Sequence, residues 1–229
     1  MSLGVNFVET PFDDALVGGR SGSLFVGSLN FDLLFNVTEL RNSGFKFLGI
    51  YIELSALPSF ESILSRYSFI DEYRDYTCKR LERNDYHYKS FHVLKSCDRE
   101  VPKISIEIAK EKVGRYFLDS AVDQNRLSRR NTDWLYSYIA ENNEKKFAFT
   151  IRNDSTCIGL AMLSKNQFNM NIDFNFLFQE FRGNGYGKYM LDCIRQFARE
   201  QGCETLSSRV SMRNYQALNC YGDYWDIRR

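Results

Sequence analysis

From Asn169 to Phe178 polar and apolar residues alternate without a break, with Asn169, Asn171, Asp173 and Asn175 set against Met170, Ile172, Phe174, Phe176 and Phe178. Period two marks a strand with one face on a core, and here the opposite face carries amides and a carboxylate. The chain then turns through Arg182-Gly183-Asn184-Gly185-Tyr186-Gly187 into a segment where Met190, Leu191, Ile194, Phe197 and Ala198 recur at helical spacing, with Gly202 as a natural stop. Glycines at a strand-to-helix turn let backbone N–H groups converge on an anion, and the helix N-terminus adds partial positive charge. The turn therefore reads as a cradle for a diphosphate, or else as a merely tight connection. The polar row is either the solvent face of a hairpin or the wall of a cleft.

Elsewhere α and β patterns alternate. Ser23-Leu24-Phe25-Val26 is a short apolar strand, and Phe31 to Asn42 carries Phe31, Leu34, Phe35, Thr38 and Leu40 near helical spacing before Ser43-Gly44. Phe45 to Leu54 follows as a strand, closed by Pro58. The polar, Tyr-rich stretch from Tyr67 to Lys103 is the least regular. It is expected to hold a boundary between a small α/β domain over 1–100 and a second domain over 101–229. Ile104-Ser105-Ile106-Glu107-Ile108 alternates, which predicts a half-buried strand. A helix carrying Tyr116, Phe117 and Val122 should come next. A further helix is expected from Thr132 to Asn142, with Trp134, Leu135, Tyr138 and Ile139 on one face and Asn131-Thr132-Asp133 as its cap. Phe147 to Arg152 and Cys157 to Ser164 frame Asn153-Asp154-Ser155-Thr156 as a hairpin.

Composition removes several function classes. The chain of 229 residues has a formal net charge of +1, so no nucleic acid would be recruited by charge alone. No stretch approaches the roughly 20 apolar residues of a membrane span, and the first residues lack the features of a secretory signal. A cytoplasmic protein without a membrane partner is expected. The six cysteines contain no C-x-x-C pair, and His87 and His92 are the only histidines. Buried free thiols are expected, with no disulfide framework and no metal. Both histidines lie in Asp85-Tyr86-His87-Tyr88-Lys89-Ser90-Phe91-His92, away from any nucleophile signature, which sets covalent hydrolysis aside.

The glycine turn differs from two familiar phosphate loops. A P-loop needs Gly-Lys followed by Ser or Thr, whereas Gly187-Lys188 is followed by Tyr189. A dinucleotide fold needs more sheet beyond its turn than the remaining forty or so residues, about one βα unit and a strand, can supply. Arg182-x-x-Gly185-x-Gly187 instead resembles the acyl-CoA signature of the GNAT acetyltransferases, Gln or Arg, two residues, Gly, one residue, then Gly or Ala. Downstream, the strand Thr205 to Val210 and Asn214-Tyr215-Gln216-Ala217-Leu218-Asn219-Cys220-Tyr221 are similar to the family's next strand and its N-x-x-A-x-x-x-Y.

This resemblance, from Lys103 onward, implies an α/β (α+β) fold with a central mixed, mostly antiparallel sheet flanked by helices, here with an additional N-terminal α/β unit. It also implies an N-acetyltransferase with acetyl-CoA as cosubstrate. By position, Phe176, Leu177 and Phe178 would offer main-chain groups to pantetheine and the thioester. Arg182, Gly183, Asn184, Gly185, Tyr186, Gly187 and Lys188 would hold the pyrophosphate, and Asn214 would steady the pantetheine arm. Tyr221 would protonate the departing thiolate, a role that suits a phenol of ordinary pKa about 10. The alternative for Tyr221 is a core tyrosine bonded to a carbonyl. For the base, Asp173 and Glu180 are the nearest carboxylates, and Asp173 is preferred because it lies on the polar row.

Departures from the family pattern bear on the acceptor. Members that acetylate protein N-terminal alanines carry a glutamate base five residues before the motif asparagine, where this chain has Arg209, a side chain that cannot accept a proton. Arg209 would suit an anionic acceptor or pair with Glu204 or Asp226. Phe12-Asp13-Asp14-Ala15-Leu16-Val17-Gly18-Gly19 with the following strand, helix and strand, together with Trp134 and Tyr224-Trp225, resembles TDP-fucosamine acetyltransferase-type enzymes. That resemblance implies a small-molecule acceptor, the amine of a nucleotide-linked amino sugar, and is compatible with a homodimer. Tyr221 runs directly into Gly222-Asp223-Tyr224-Trp225, where the family normally continues into a Gly-Phe and another strand pair. The competing readings are a protein N-terminal or small-amine acetyltransferase, and a non-catalytic module that binds acyl-CoA.

Overall fold

The computed structural model describes residues 6–9, 19–26, 33–52, 73–79, 81, 91–95, 98–110, 123–140, 145–222 and 225–227. The chain divides into two units, Met1–Ile70 with Arg115–Asn131, and Asp71–Gly114 with Thr132–Arg229. In the first, β1 (Asn6–Glu9), β2 (Arg20–Val26) and β3 (Phe45–Ile52) form a sheet in that order. β1 runs antiparallel to β2 and β2 parallel to β3, and the parallel pair needs the crossover that α1 (Leu33–Asn42) supplies. The expected strand, helix and strand are present, with β1 added. Arg20 ties three of these pieces together. Its guanidinium meets Glu9 Oε1 at 2.6 Å, donates to the Ser43 carbonyl at 3.0 Å and lies 4.2 Å from the centroid of the Phe45 ring. Residues 12–18 and Pro58 lie outside the described residues.

The second unit holds a seven-stranded sheet. Its order is β10 (Asp226–Ile227), β4 (Tyr73–Cys78), β9 (Thr205–Ser211), β8 (Asn169–Leu177), β7 (Thr156–Asn166), β6 (Lys146–Asn153) and β5 (Phe91–Val93). Neighbours are antiparallel except β8 and β9, which are parallel and joined through α4 (Tyr186–Glu200). β6 and β7 make the expected hairpin. One sheet face packs on α4, where Met190, Leu191, Ile194, Phe197 and Ala198 meet Phe149, Ile151, Leu163 and Leu206. On the other face Ile104 and Ile108 of α2 (Val101–Lys110) and Leu135 and Ile139 of α3 (Gln124–Ala140) meet Ala148, Leu160 and Met162.

Several expectations give way here. Ile104–Ile108 is part of helix α2, not a strand. The buried positions are Val101, Ile104, Ser105 and Ile108, a helical stripe, while Ile106 is 57% exposed. Ile104 and Ile108 fit either period, and the contrast between Ile106 and its neighbours becomes visible only once a partner surface exists. α3 starts at Gln124 instead of Thr132. Asp123 Oδ1 accepts from the N–H groups of Asn125 at 2.9 Å and Arg126 at 3.3 Å, and Asn131 is buried within the helix. Between Gln124 and Asp133 the only apolar residue is Leu127, so periodicity is silent there. The supposedly irregular stretch contributes β4 and β5 to the main sheet, so that unit starts near residue 71. The helix expected over Tyr116, Phe117 and Val122 lies outside the described residues, as do His87 and Cys97. Cys78, Cys157, Cys193, Cys203 and Cys220 are free thiols. None of the described helices is long and apolar enough to cross a membrane.

Phe197 anchors the α4 face. It is 1% exposed, and its ring lies 4.7 Å from Phe149, 5.2 Å from Phe147 and 5.3 Å from Phe91. Phe197→Ala should lower the unfolding free energy by about 3–5 kcal/mol. Denaturant titration would show this as a lower midpoint at an unchanged slope.

Candidate active site

β8 pairs with β9 only from Asn169↔Thr205 to Ile172↔Ser208. Beyond that rung β9 stays with β4 as far as Tyr73↔Ser211, while β8 follows β7 to Gly159↔Leu177, so the sheet forks. A β-bulge sits at the branch point. Ile172 pairs with Leu163 and Phe174 with Met162, leaving Asp173 as the extra residue. A bulge bends its strand and increases the twist, which carries β8 away from β9. It also ends the single greasy face that alternation implied. Met170 and Ile172 pack on the α4 side, whereas Phe174, Phe176 and Phe178 pack on the side of α2 and α3.

The bulge is followed by a strand whose main-chain groups can be assigned to sides. The Phe178 N–H donates to the Ile158 carbonyl at 3.0 Å, and a side chain at position 159 would collide with the Phe176 carbonyl. The polar groups of Phe176 and Phe178 therefore face β7, and those of the alternate residues, Asn175 and Leu177, face the fork. Arg182 reaches back to the Leu177 carbonyl, donating from Nε at 2.9 Å and Nη2 at 2.7 Å.

After a short 3-10 turn, Gln179–Phe181, Gly183 and Gly185 both adopt φ 81°, the left-handed region that disfavours a Cβ. The N–H groups of Gly183, Asn184, Gly185, Tyr186 and Gly187 donate to no backbone carbonyl among the described residues. They precede or open a 15-residue helix, the setting in which successive amides bind an anion. Asn184 and Lys188 are exposed. The Tyr186 side chain is engaged elsewhere, its hydroxyl accepting from Asn153 Nδ2 at 3.1 Å and its ring lying edge-on to Phe181. Gly187 serves a different purpose. A Cβ there would overlap Cys220 Sγ, so glycine allows the first turn of α4 to approach the segment bearing Tyr221.

That segment begins with α5 (Tyr215–Leu218), capped by Asn214 Oδ1, which accepts from the Ala217 N–H at 3.1 Å. The Tyr221 ring stacks on Tyr76 at 4.2 Å and 19° and meets Trp225 edge-on at 4.8 Å. Its hydroxyl shares a 2.6 Å hydrogen bond with the buried Ser208, the β9 residue of the last rung before the fork. Burial pushes the phenol pKa up to about 12. The Trp225 N–H donates to the Gly222 carbonyl at 3.0 Å, and β10 pairs with β4 at the sheet edge.

Asp173 turns toward α3. The Tyr138 hydroxyl donates to Oδ2 at 2.7 Å, Asn171 Nδ2 donates to Oδ1 at 2.6 Å, and Ser164 adds another hydrogen bond. Burial outweighs these partners and the nearby charge of Lys146, holding the carboxyl above its ordinary pKa. Trp134 packs edge-on against Phe174 at 5.8 Å and Tyr138 at 6.1 Å. Glu180 is exposed on the 3-10 turn. Arg209 makes a two-point pair with Asp75 of β4, at 2.7 and 2.8 Å, in place of Glu204 or Asp226. Among the described residues no three His, Cys, Asp or Glu side chains gather to hold a metal. Ser208 and Asp75 carry no sequence signal of their own, and for Tyr138 and Asn175 the pattern gave only a helix or strand face, because strand register and helix packing bring all four to the site. The contact at Gly187 is directly testable. Gly187→Ala should cost about 1–3 kcal/mol by overpacking, and adding Cys220→Ala should recover most of it in a double-mutant denaturation cycle.

The model of the Acetyltransferase (GNAT) family matches residues 108–223, just over half of the chain. No curated protein matches. Several solved structures share the fold. A GCN5-related N-acetyltransferase from Sphaerobacter thermophilus superposes with a TM-score of 0.58 at 11% identity, over 98% of this chain and 73% of its own. A functionally unknown conserved protein from Staphylococcus epidermidis ATCC 12228 gives 0.56 at 12% identity, over 96% and 85%. A GNAT-family acetyltransferase from Colwellia psychrerythraea gives 0.54 at 11% identity, over 91% and 76%. At such identities the likeness concerns the fold, and it is the family match, over the strands, turn and helix that build the fork, that identifies the chain as a member of the GNAT acetyltransferase family.

Proposed function

We propose that this chain is an acetyl-CoA-dependent N-acetyltransferase in which Tyr221 is the acid and Asp173 the base, and that its acceptor is the amine of a nucleotide-linked amino sugar. The observation that carries the catalytic part is the last β8/β9 rung. Its β9 member, Ser208, holds the Tyr221 hydroxyl, and the residue after its β8 member is Asp173. Acid and base thus flank the start of the fork, Tyr221 packed with the α4-side cluster and Asp173 turned toward α3.

Acetyl-CoA supplies an activated acetyl group as a thioester. The amides from Gly183 to Gly187, with Lys188 at one flank, bind its diphosphate at the N-terminus of α4. The fork-facing groups of Asn175 and Leu177 bind the pantetheine amides and the thioester oxygen, while Phe176 and Phe178 back them from the β7 side. The Asn214 amide nitrogen, left over from capping, steadies the arm. Asp173 takes the proton of the attacking amine, and its raised pKa makes it a stronger base than an ordinary carboxylate. Tyr221 gives its proton to the departing thiolate and, at a pKa of about 12, holds that proton at every working pH. Fixing these groups on rigid strands supplies orientation and a prepared electrostatic environment.

The amino-sugar acceptor is supported by the N-terminal resemblance and by the half-buried Trp134 and Phe174 rings near Asp173, flat faces of the kind sugars pack against. A peptide or polyamine acceptor is favoured by the Arg209–Asp75 pair, because an arginine already matched by a carboxylate has less charge to offer a nucleotide. Turnover of acetyl-CoA against TDP- and UDP-linked 4-amino-6-deoxy sugars, N-terminal peptides and polyamines decides between them. The expected result is a sugar nucleotide one acetyl group heavier, and peptide-only turnover would reject the sugar. Tyr221→Phe should reduce kcat by about 10²–10⁴-fold while acetyl-CoA affinity persists. Asp173 works only when ionised, so the rate should fall as pH drops through a pKa above the usual carboxylate range. Tyr221 should add no alkaline limb below about pH 12. A rate flat down to about pH 4, the ordinary carboxylate value, would remove Asp173 from the role.

A further inference from the structure

We infer that Arg182, the first residue of the glycine signature, is a positioning residue that organises the donor site through the Leu177 carbonyl, and that its side chain does not bind phosphate. The inference rests on the acetyl-CoA reading above. Two guanidinium nitrogens, Nε and Nη2, converge on that single oxygen from five residues downstream, bridging the 3-10 turn between strand end and loop. Leu177 is buried, and the β8/β9 ladder has ended at Ile172, so β9 gives its carbonyl no partner. An unmet buried carbonyl is costly, and a charged donor is a strong way to meet it.

The contact has two consequences for a donor in the fork. It fixes where the amide cradle begins relative to the strand that receives the thioester. It also covers a carbonyl dipole that would repel the thioester oxygen, leaving the Leu177 N–H as that residue's polar group toward the ligand. Reaching a diphosphate at the N-terminus of α4 would break both bonds. A lysine cannot replace the fork of donors, because its ammonium is a point charge on a flexible stem.

The test is equilibrium binding of acetyl-CoA and of S-acetylpantetheine, which lacks the diphosphate, to the wild-type chain, Arg182→Ala, Arg182→Lys and Lys188→Ala. Arg182→Ala should weaken both ligands by the same factor, about ten-fold or more. Arg182→Lys should lose nearly as much despite keeping the charge, and the salt dependence of acetyl-CoA binding should stay as in the wild type. Lys188→Ala should weaken acetyl-CoA alone and flatten its salt dependence. Wild-type affinity in Arg182→Lys, or loss of acetyl-CoA affinity with S-acetylpantetheine unaffected in Arg182→Ala, would overturn the inference. If Arg182→Ala fails to fold, Arg182→Lys decides alone. A wild-type chain that binds neither ligand would sink the donor reading and this role with it, a result distinct from either Arg182 outcome.

Discussion

The β8/β9 ladder lasts only from Asn169↔Thr205 to Ile172↔Ser208, and the separation that follows governs the site. Each strand is held on its outer side, β9 by β4 and β8 by β7, so neither collapses into the gap. The extra residue at Asp173 supplies the twist that parts them. Main-chain groups inside a sheet are ordinarily paired, and leaving several unpaired at one place is tolerable only where solvent or a ligand meets them. An interruption of pairing thereby becomes a binding surface, with one rim closed by Arg182 and the other by the turn that carries Tyr221.

Burial acts in the same direction on the two groups proposed for proton transfer, yet with opposite chemical meaning. It disfavours the charged form of each. For Tyr221 this secures the neutral donor, and the hydrogen bond to Ser208 fixes where the hydroxyl stands. For Asp173 it raises basicity, while Tyr138, Asn171 and Ser164 keep the carboxylate from being stranded without partners. Alternation from Ile172 already presents Asp173 to α3, and the bulge is what brings Phe174 onto that face as well. In unbroken alternation Asp173 would sit opposite Phe174 instead of beside it on the same face.

The glycines of the turn divide into two kinds. Gly183 and Gly185 answer to backbone conformation, and Gly187 to the approach of Cys220. One short motif therefore shapes the amide row and lets the acid-bearing segment dock on α4. After Tyr221, Trp225 lies against the Tyr221 ring and β10 pairs at the sheet edge.

Local pattern alone determined the elements whose periodicity is long or whose turns are chemically marked. The stripe of α4, the Asn153-Asp154-Ser155-Thr156 hairpin and the strand, helix and strand of the first unit were legible because each depends on near neighbours in the chain, and the spacing of Arg182, Gly185, Gly187, Asn214 and Tyr221 was legible through its resemblance to the family pattern. Tertiary structure decided the rest. Ile104–Ile108 became a helix because Val101, Ile104, Ser105 and Ile108 found a common partner surface. Tyr73–Cys78 and Phe91–Val93 became strands because β9 and β6, far along the chain, offered free edges. The bulge at Asp173, the Ser208 hydroxyl behind Tyr221 and the Arg182 fork on Leu177 all depend on how one strand registers against another. Register is a property of two segments at once, and a single pattern of residues does not contain it.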